Sequence, residues 1–297
     1  MIDHNTPTIS IIIPTLNAGR EINGLLEKLS EQTIPVSEII IVDSASSDDT
    51  LSICKNYPAV QVININRSDF DHGKTRDMAF RQSKGDIVVF MTQDAIPVDK
   101  NFLEKLLAPL ADERVAVSTG RQLPKATATK MEKLVRSFNY PEESHIRSKD
   151  DLPKMGIKTF FCSDVCAAYK RSVFLRLGGF EYPLKTNEDM FFAAKVINAG
   201  YCIAYAADAQ VFHSHNFTLR EQYNRNYIQG YEIERHRADL GNVRQESEGV
   251  KLVKYVSLEL LKRGQIISFV RFGFDCVARL MGSRAGKRKA QESDIMV

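Results

Sequence analysis

Four short apolar runs, separated by helix-like segments within about the first 120 residues, constrain this chain more than any other feature. Ile9–Pro14 (ISIIIP), Glu38–Val42 (EIIIV), Val60–Ile65 and Asp86–Met91 (DIVVFM) are rich in Ile and Val, which suits strands buried on both faces. Between them Glu21–Ser30, Asp49–Asn56 and Thr75–Gln82 read as helices, and Ser47–Asp49 offers a cap for the second. This strand–helix–strand rhythm predicts an α/β fold with a mostly parallel central sheet. Such sheets bind ligands beyond the carboxyl ends of their strands. The informative segments are therefore Pro14-Thr15-Leu16-Asn17, Asp43 to Asp49, and Thr92-Gln93-Asp94-Ala95. None contains G-x-G-x-x-G or G-x-x-x-x-G-K-[ST], which disfavours a dinucleotide-binding Rossmann unit and a P-loop.

Pro124–Pro153 is polar and less regular, reading as a loop or lid around one helix at Ala128–Tyr140. Regular structure resumes with Thr159–Tyr169, a helix at Asn187–Asn198, a strand near Ala209–Phe212 and a helix through Thr218–Arg237. Gly241–Gly249 has the composition of a polar linker. These signals divide the chain into a domain over 1–240, with halves at 1–122 and 123–240, and a helical C-terminal extension over 250–297. In the extension, Gln265–Met281 is amphipathic: Ile266, Ile267, Val270, Phe274, Val277 and Met281 share one side, and Arg271, Asp275 and Arg279 another.

Composition excludes several classes. With 297 residues, 43% hydrophobic and 26% charged, the chain can bury a core without disulfide or metal staples. Its longest stretch free of Asp, Glu, Lys and Arg runs from His4 to Gly19 and includes two prolines, too short and too polar for a transmembrane helix. The opening MIDHNTPTIS lacks the regions of a secretory signal. Five cysteines without a C-x-x-C pair fit reduced cytosolic thiols; half of a zinc site at Cys162 and Cys166 is the other reading. Residues 251–297 carry +6, leaving −3 for the rest of a chain whose total is +3. An anionic partner is thus expected for the tail alone. Nucleic acid is not that partner, since no recognisable module or interleaved aromatics accompany the charge.

Several residues could carry chemistry. Asp43, just after a buried strand, can accept a hydrogen bond from a nucleobase N–H or a ribose hydroxyl, whereas Asp48 and Asp49 fit a helix cap better. Asp94 ends an apolar strand where a carboxylate can hold a hard cation. Of Glu188 and Asp189 at a helix start, one acid can serve the dipole and the other act as a general base. His213 and His215 alternate onto one face, offering cation ligands or simply polar surface. Phe70-Asp71-His72-Gly73-Lys74-Thr75-Arg76 gathers basic residues at a helix start, which reads as an anion site or a solvated turn.

Taken together, the segments ISIIIPTLN, IIIVDSASSDDT, GDIVVFMTQDAIP and GGFEYPLKTNEDMFFAAKVINAGY resemble the first strand, nucleotide-binding strand, metal-binding D-x-D strand and catalytic-acid segment of a family-2 glycosyltransferase of the GT-A fold. The resemblance spans roughly residues 8–237. Within that family FDHGKTRDMA, TQDAIP, FFCSDVCAAYKR and VFHSH resemble rhamnosyltransferases that use dTDP-L-rhamnose. The resemblance implies a donor-binding half at 1–122 and an acceptor-binding half at 123–240. It assigns Thr15, Asn17 and Asp43 to the base and ribose, with His72, Lys74 and Arg76 near the nucleotide and Gln93 beside Asp94. Asp94 would hold a divalent cation, Mg²⁺ or Mn²⁺, with the donor diphosphate, aided by His213 or His215. Because Gln93-Asp94-Ala95 keeps a single acid, strict metal dependence does not follow. Asp189 would deprotonate the acceptor, with Glu188 in support.

The implied reaction is an inverting displacement with an oxocarbenium-like transition state. Charge developing on the diphosphate would be met by the cation and by Lys74 or Arg76. With no Trp, the chain cannot carry the Q-x-x-R-W motif of processive synthases, so it should add one or a few sugars to a growing surface polysaccharide. Acceptors of such enzymes are commonly lipid-linked at the cytoplasmic leaflet. The basic amphipathic extension, about 17 residues or roughly 25 Å of helix, is long enough to lie on an anionic inner membrane face but not to span it. Packing on the catalytic domain, or on a second subunit in a homodimer, is the alternative. Competing readings are a UDP-sugar donor, a sugar nucleotidyltransferase and a non-catalytic glycan- or lipid-binding scaffold. The nucleotidyltransferase would want a glycine-rich basic loop after the first strand, where Pro14–Arg20 has a single Gly and Arg.

Overall fold

A computed structural model describes residues 7–241 and 247–294. Its strands are β1 (Ile9–Thr15), β2 (Glu38–Asp43), β3 (Val60–Asn64), β4 (Ile87–Met91), β5 (Ile96–Pro97), β6 (Val115–Leu123), β7 (His145–Arg147), β8 (Cys166–Lys170) and β9 (Cys202–Phe212). They form one sheet in the order β3-β2-β1-β4-β8-β6-β9-β5, with β7 also on β9. β1 to β4 are mutually parallel where they pair, β8 runs antiparallel between β4 and β6, and β6 lies parallel to β9. The two sequence halves therefore share one sheet.

The helices are α1 (Ile22–Ser30), α2 (Thr50–Cys54), α3 (His72–Gln82), α4 (Phe102–Leu107), α5 (Lys130–Asn139), α6 (Leu152–Met155), α7 (Arg171–Arg176), α8 (Glu188–Asn198), α9 (Leu219–Arg235), α10 (Arg237–Leu240), α11 (Ser247–Lys262) and α12 (Ile266–Asp294). Alternate residues of the central strands feed two cores. Ile11 and Ile13 pack with Leu25 of α1 and Phe102 of α4, whereas Ile12 and Phe90 pack with Phe80 of α3 and Phe191 of α8. Burial on both faces is what the uninterrupted Ile/Val runs achieve, at about 1.5–3 kcal/mol for each large side chain.

Some boundaries differ from the sequence reading. β3 is not buried on both faces: as the edge strand it leaves Gln61, Val62 and Asn64 exposed. α3 begins at His72 rather than Thr75, because Asp71 caps it by accepting from the Lys74 N–H at 2.8 Å. Thr159–Tyr169 holds a 3-10 turn before β8 starts at Cys166. The segment read as a loop or lid contains α5 and also β7, which pairs with β9. Of the linker at Gly241–Gly249, residues 242–246 lie outside the described residues, and α11 already runs from Ser247.

α12 lies along α9. The backbones meet so closely that a Cβ at Gly286 would come within 2.0 Å of the Tyr227 carbonyl oxygen. The apolar side identified in the sequence faces away from this contact: Ile267 is 87% and Phe274 60% exposed, and Val270, Val277 and Met281 are exposed too. Asp275 is buried beside Arg279 instead. Close helix packing uses the small residues, so the large apolar ones are left outward. Among the described residues no helix is long and apolar enough to cross a membrane.

Candidate active site

A cavity of about 580 Å³ opens beyond the carboxyl ends of β1 and β4, walled in part by Thr15, Ser44, Phe70, His72, Gln93 and Asp94. This is where a parallel sheet binds ligands, and the size suits a small-molecule site. Gln93 fixes the cavity floor by accepting from the Leu16 N–H at 2.8 Å and donating to the Leu16 carbonyl at 3.2 Å. These two bonds tie the end of β1 to the end of β4.

One wall is a candidate cation site. Asp94 Oδ1 lies 3.4 Å from His213 Nε2, and its Oδ2 lies 3.6 Å from His215 Nε2. The two Nε2 atoms are 3.1 Å apart. His213 Nδ1 faces the side-chain oxygen of Gln122 at 2.9 Å, so Nδ1 carries the hydrogen and the Nε2 lone pair points into the cluster. Burial pushes His213 down to about 3 and also lowers His215, keeping the imidazoles neutral and able to ligate. Burial works against ionisation of Asp94, but its polar surroundings, with the Lys125 ammonium at 2.9 Å, outweigh it and hold the carboxyl below its ordinary value. These acceptors lie within 4.8 Å of one another and are met by one cation, Lys125 Nζ, at 2.9 Å from Asp94 Oδ2. The donor set fits a divalent ion.

Behind His72 and Arg76, which line the cavity, the acids Glu188, Asp189 and Asp164 gather around the buried Arg76 guanidinium without themselves reaching the lining. Arg76 Nη1 lies 3.1 Å from Glu188 Oε1, and Arg76 Nε lies 3.4 Å from Asp164 Oδ2. All three side chains are at most 5% exposed. Asp189 at the start of α8 accepts at Oδ2 from the Asp164 N–H and at Oδ1 from the Met190 N–H. Burial, reinforced by the neighbouring Glu188 carboxylate, pushes Asp189 up to about 7. Such a carboxyl titrates near neutrality, the range in which a general base works best.

The residues expected from the sequence divide into those that reach the cavity and those that do not. Thr15, His72, Arg76, Gln93, Asp94 and His215 line it, and His213 stands behind Asp94. Asp43 is fully buried, accepting from Thr15 Oγ1, the Ser46 N–H and Ser46 Oγ, so it shapes the loop and leaves Ser44 at the wall. Asn17 sits at φ 50° and spends its side-chain oxygen on the Ser47 N–H. Lys74 is exposed and away from the lining.

No open anion site forms at the start of α3. Asp71 caps it, and the Glu181 carbonyl presses so close that a Cβ on Gly73 would meet it at 2.1 Å. Arg76 is committed to Glu188 and Asp164, which leaves Lys125 as the ammonium facing Asp94. Sequence reading missed both Lys125 and Asp164. Lys125 falls just after β6 and Asp164 just before β8, so the post-strand rule that found Asp94 applied equally to Lys125.

The curled, mostly parallel sheet with helices on both faces is the fold of glycosyltransferases of GT-A type. Residues 10–178 match the family described as Glycosyl transferase family 2, and the chain belongs to that family. Among its relatives is the O-antigen chain rhamnosyltransferase WbaN of Salmonella anatum, 46% identical over 226 residues, which span 75% of this chain and 71% of that protein. RfbN of Salmonella typhimurium, also an O-antigen chain rhamnosyltransferase, is 42% identical over 223 residues at the same coverage. The mannosyltransferase PcManGT of Pyrobaculum calidifontis, solved with GDP-Man and Mn²⁺, shares the fold at TM-score 0.65 and 17% identity, covering 95% of this chain and 88% of its own.

Proposed function

We propose that the protein is an inverting rhamnosyltransferase that moves L-rhamnose from dTDP-L-rhamnose onto a lipid-linked saccharide of a bacterial surface polysaccharide. The observation that carries this reading is the 42–46% identity to two O-antigen chain rhamnosyltransferases over three quarters of the chain. The donor occupies the cavity beside Thr15, Ser44 and Gln93. Asp189 takes the proton from the acceptor hydroxyl as its oxygen attacks the anomeric carbon, and Glu188, held by Arg76, supports it. Lys125 offers positive charge to the departing diphosphate. A divalent cation, Mg²⁺ or Mn²⁺, held by Asp94, His213 and His215, would add Lewis-acid stabilisation of the same charge. The outward apolar stripe of α12, flanked by Arg271, Arg284 and Arg288, supports seating at an anionic membrane surface that carries the acceptor.

Thermal unfolding against a panel of nucleotide sugars with Mg²⁺ or Mn²⁺ tests the donor. At about a hundred times its dissociation constant, dTDP-L-rhamnose should add about 2.7 kcal/mol to stability. A shift with a UDP-sugar and none with dTDP-L-rhamnose would discard the rhamnose assignment and keep the transferase.

A further inference from the structure

Gln122 of β6 is 2% exposed and sits between the candidate cation site and α5. Its Oε1 accepts from Arg136 Nη1 and lies 2.9 Å from His213 Nδ1, while its Nε2 donates to Ser163 Oγ at 2.9 Å. Arg136 is held in turn by Glu132, one turn earlier on α5, whose Oε1 accepts from Arg136 Nε at 2.7 Å. The guanidinium also lies over the Tyr140 ring, 5.6 Å from its centroid.

We propose that Arg136 is a positioning residue for the cation site: acting through Gln122, it fixes which nitrogen of His213 carries the hydrogen. An amide can present either its oxygen or its NH₂ to a neighbour. Ser163 does not choose between the two, because a hydroxyl both donates and accepts. Neutral imidazole does not choose either, since its tautomer adapts to the group it meets. A guanidinium has donors only. Arg136 therefore draws Oε1 toward itself, and the same oxygen then calls for a hydrogen on His213 Nδ1. That leaves the Nε2 lone pair facing Asp94 Oδ1 at 3.4 Å and His215 Nε2 at 3.1 Å. Without Arg136 the amide is free to turn over and donate to Nδ1. The ring would then lose its hydrogen from Nδ1 and gain one at Nε2 by exchange with water, and that N–H would donate to Asp94. Histidine and carboxylate would satisfy each other, and a ligand nitrogen would be lost. The inference rests on the reading of Asp94, His213 and His215 as cation ligands and adds what keeps His213 in its ligating form.

The test is ¹H–¹⁵N NMR of the histidine rings in the full-length protein at pH 8 after EDTA treatment, with His213 assigned from His213→Gln. The Nδ1–H tautomer is expected in the unsubstituted protein and in Glu132→Gln, which keeps the Arg136 donor. Arg136→Met should shift His213 toward the Nε2–H form and weaken Mn²⁺ binding, measured by calorimetry, by about 10- to 100-fold. Should that variant fail to fold, Glu132→Gln combined with Arg136→Met leaves no unpaired carboxylate and should give the same two changes. A purely structural role would lower thermal stability and leave the tautomer in place. An unmoved tautomer, or undiminished Mn²⁺ affinity, in either folded Arg136 variant overturns the inference. Absence of Mn²⁺ binding to the unsubstituted protein would instead defeat the cation reading, which the tautomer measurement does not depend on.

Discussion

Replacing Arg76 by Gln removes the one guanidinium shared by Glu188 and Asp164, at 3.1 and 3.4 Å. The side chains involved are 3–5% exposed, so solvent does little to compensate. Removing one partner of a buried ion pair costs about 3–5 kcal/mol, a large share of the roughly 5–15 kcal/mol that holds a folded domain together. The loss should also depend on pH in a definite direction. Burial already raises Asp189 from 3.8 to about 7 and Asp164 well above 3.8. The folded cluster therefore binds protons more tightly than the unfolded chain does. The stability these acids contribute is full below about pH 4 and is lost as pH climbs toward 7. Without Arg76 both acids move further up, so the variant loses more on the alkaline side and recovers as the acids protonate. Urea unfolding followed by circular dichroism should show a deficit of about 3–5 kcal/mol at pH 8 that shrinks by more than about 1 kcal/mol at pH 5.5. An equal deficit at both pH values would refute the shared-guanidinium argument.

Two further outcomes follow from the geometry. Asp94→Asn should weaken Mn²⁺ binding measured by calorimetry, and Gln122→Ala, which frees His213 Nδ1, should weaken it by about 10- to 100-fold; unchanged affinity in both variants would remove the assignment of this cluster to a cation. Replacing Val270 and Phe274 together by Asp should abolish co-sedimentation with anionic liposomes while leaving thermal stability unchanged, since both side chains point outward; undisturbed sedimentation would remove the membrane role of α12.

The legibility of this chain follows the range of the interactions involved. The runs forming β1, β2 and β4 were readable because burial on both faces demands an unbroken apolar sequence, whatever the rest of the chain does. Asp94 and the Glu188-Asp189 pair stand out in the sequence because they lie at element ends, and the structure sets the first beside His213 and His215 and Glu188 beside Arg76. Asp43, Asn17 and Lys74 were expected at the donor. Nothing local shows that Ser46 and Ser47 consume the first two side chains, or that the helix bearing Lys74 turns it to solvent. Asp164 escaped for the opposite reason. Its partners Arg76, Tyr169 and Asp189 come from α3, β8 and α8, and only the fold brings them together. The outward face of α12 was visible as a periodic stripe. Its orientation depends on Gly282 and Gly286 meeting α9, a contact that no periodicity records.

That same long-range assembly joins the cavity lining at His72 and Arg76 to the acids behind it. Asp71 caps α3 with one oxygen and takes the Leu184 N–H with the other, at 2.8 Å each. The loop running from Leu184 into Glu188 is thereby tied to the helix that carries His72 and Arg76. Arg76 then binds the acids that begin α8. His72 itself lies 3.8 Å from Glu188 Oε1. The start of α8 is thus bonded to α3 twice, through Asp71 to Leu184 and through Arg76 to Glu188.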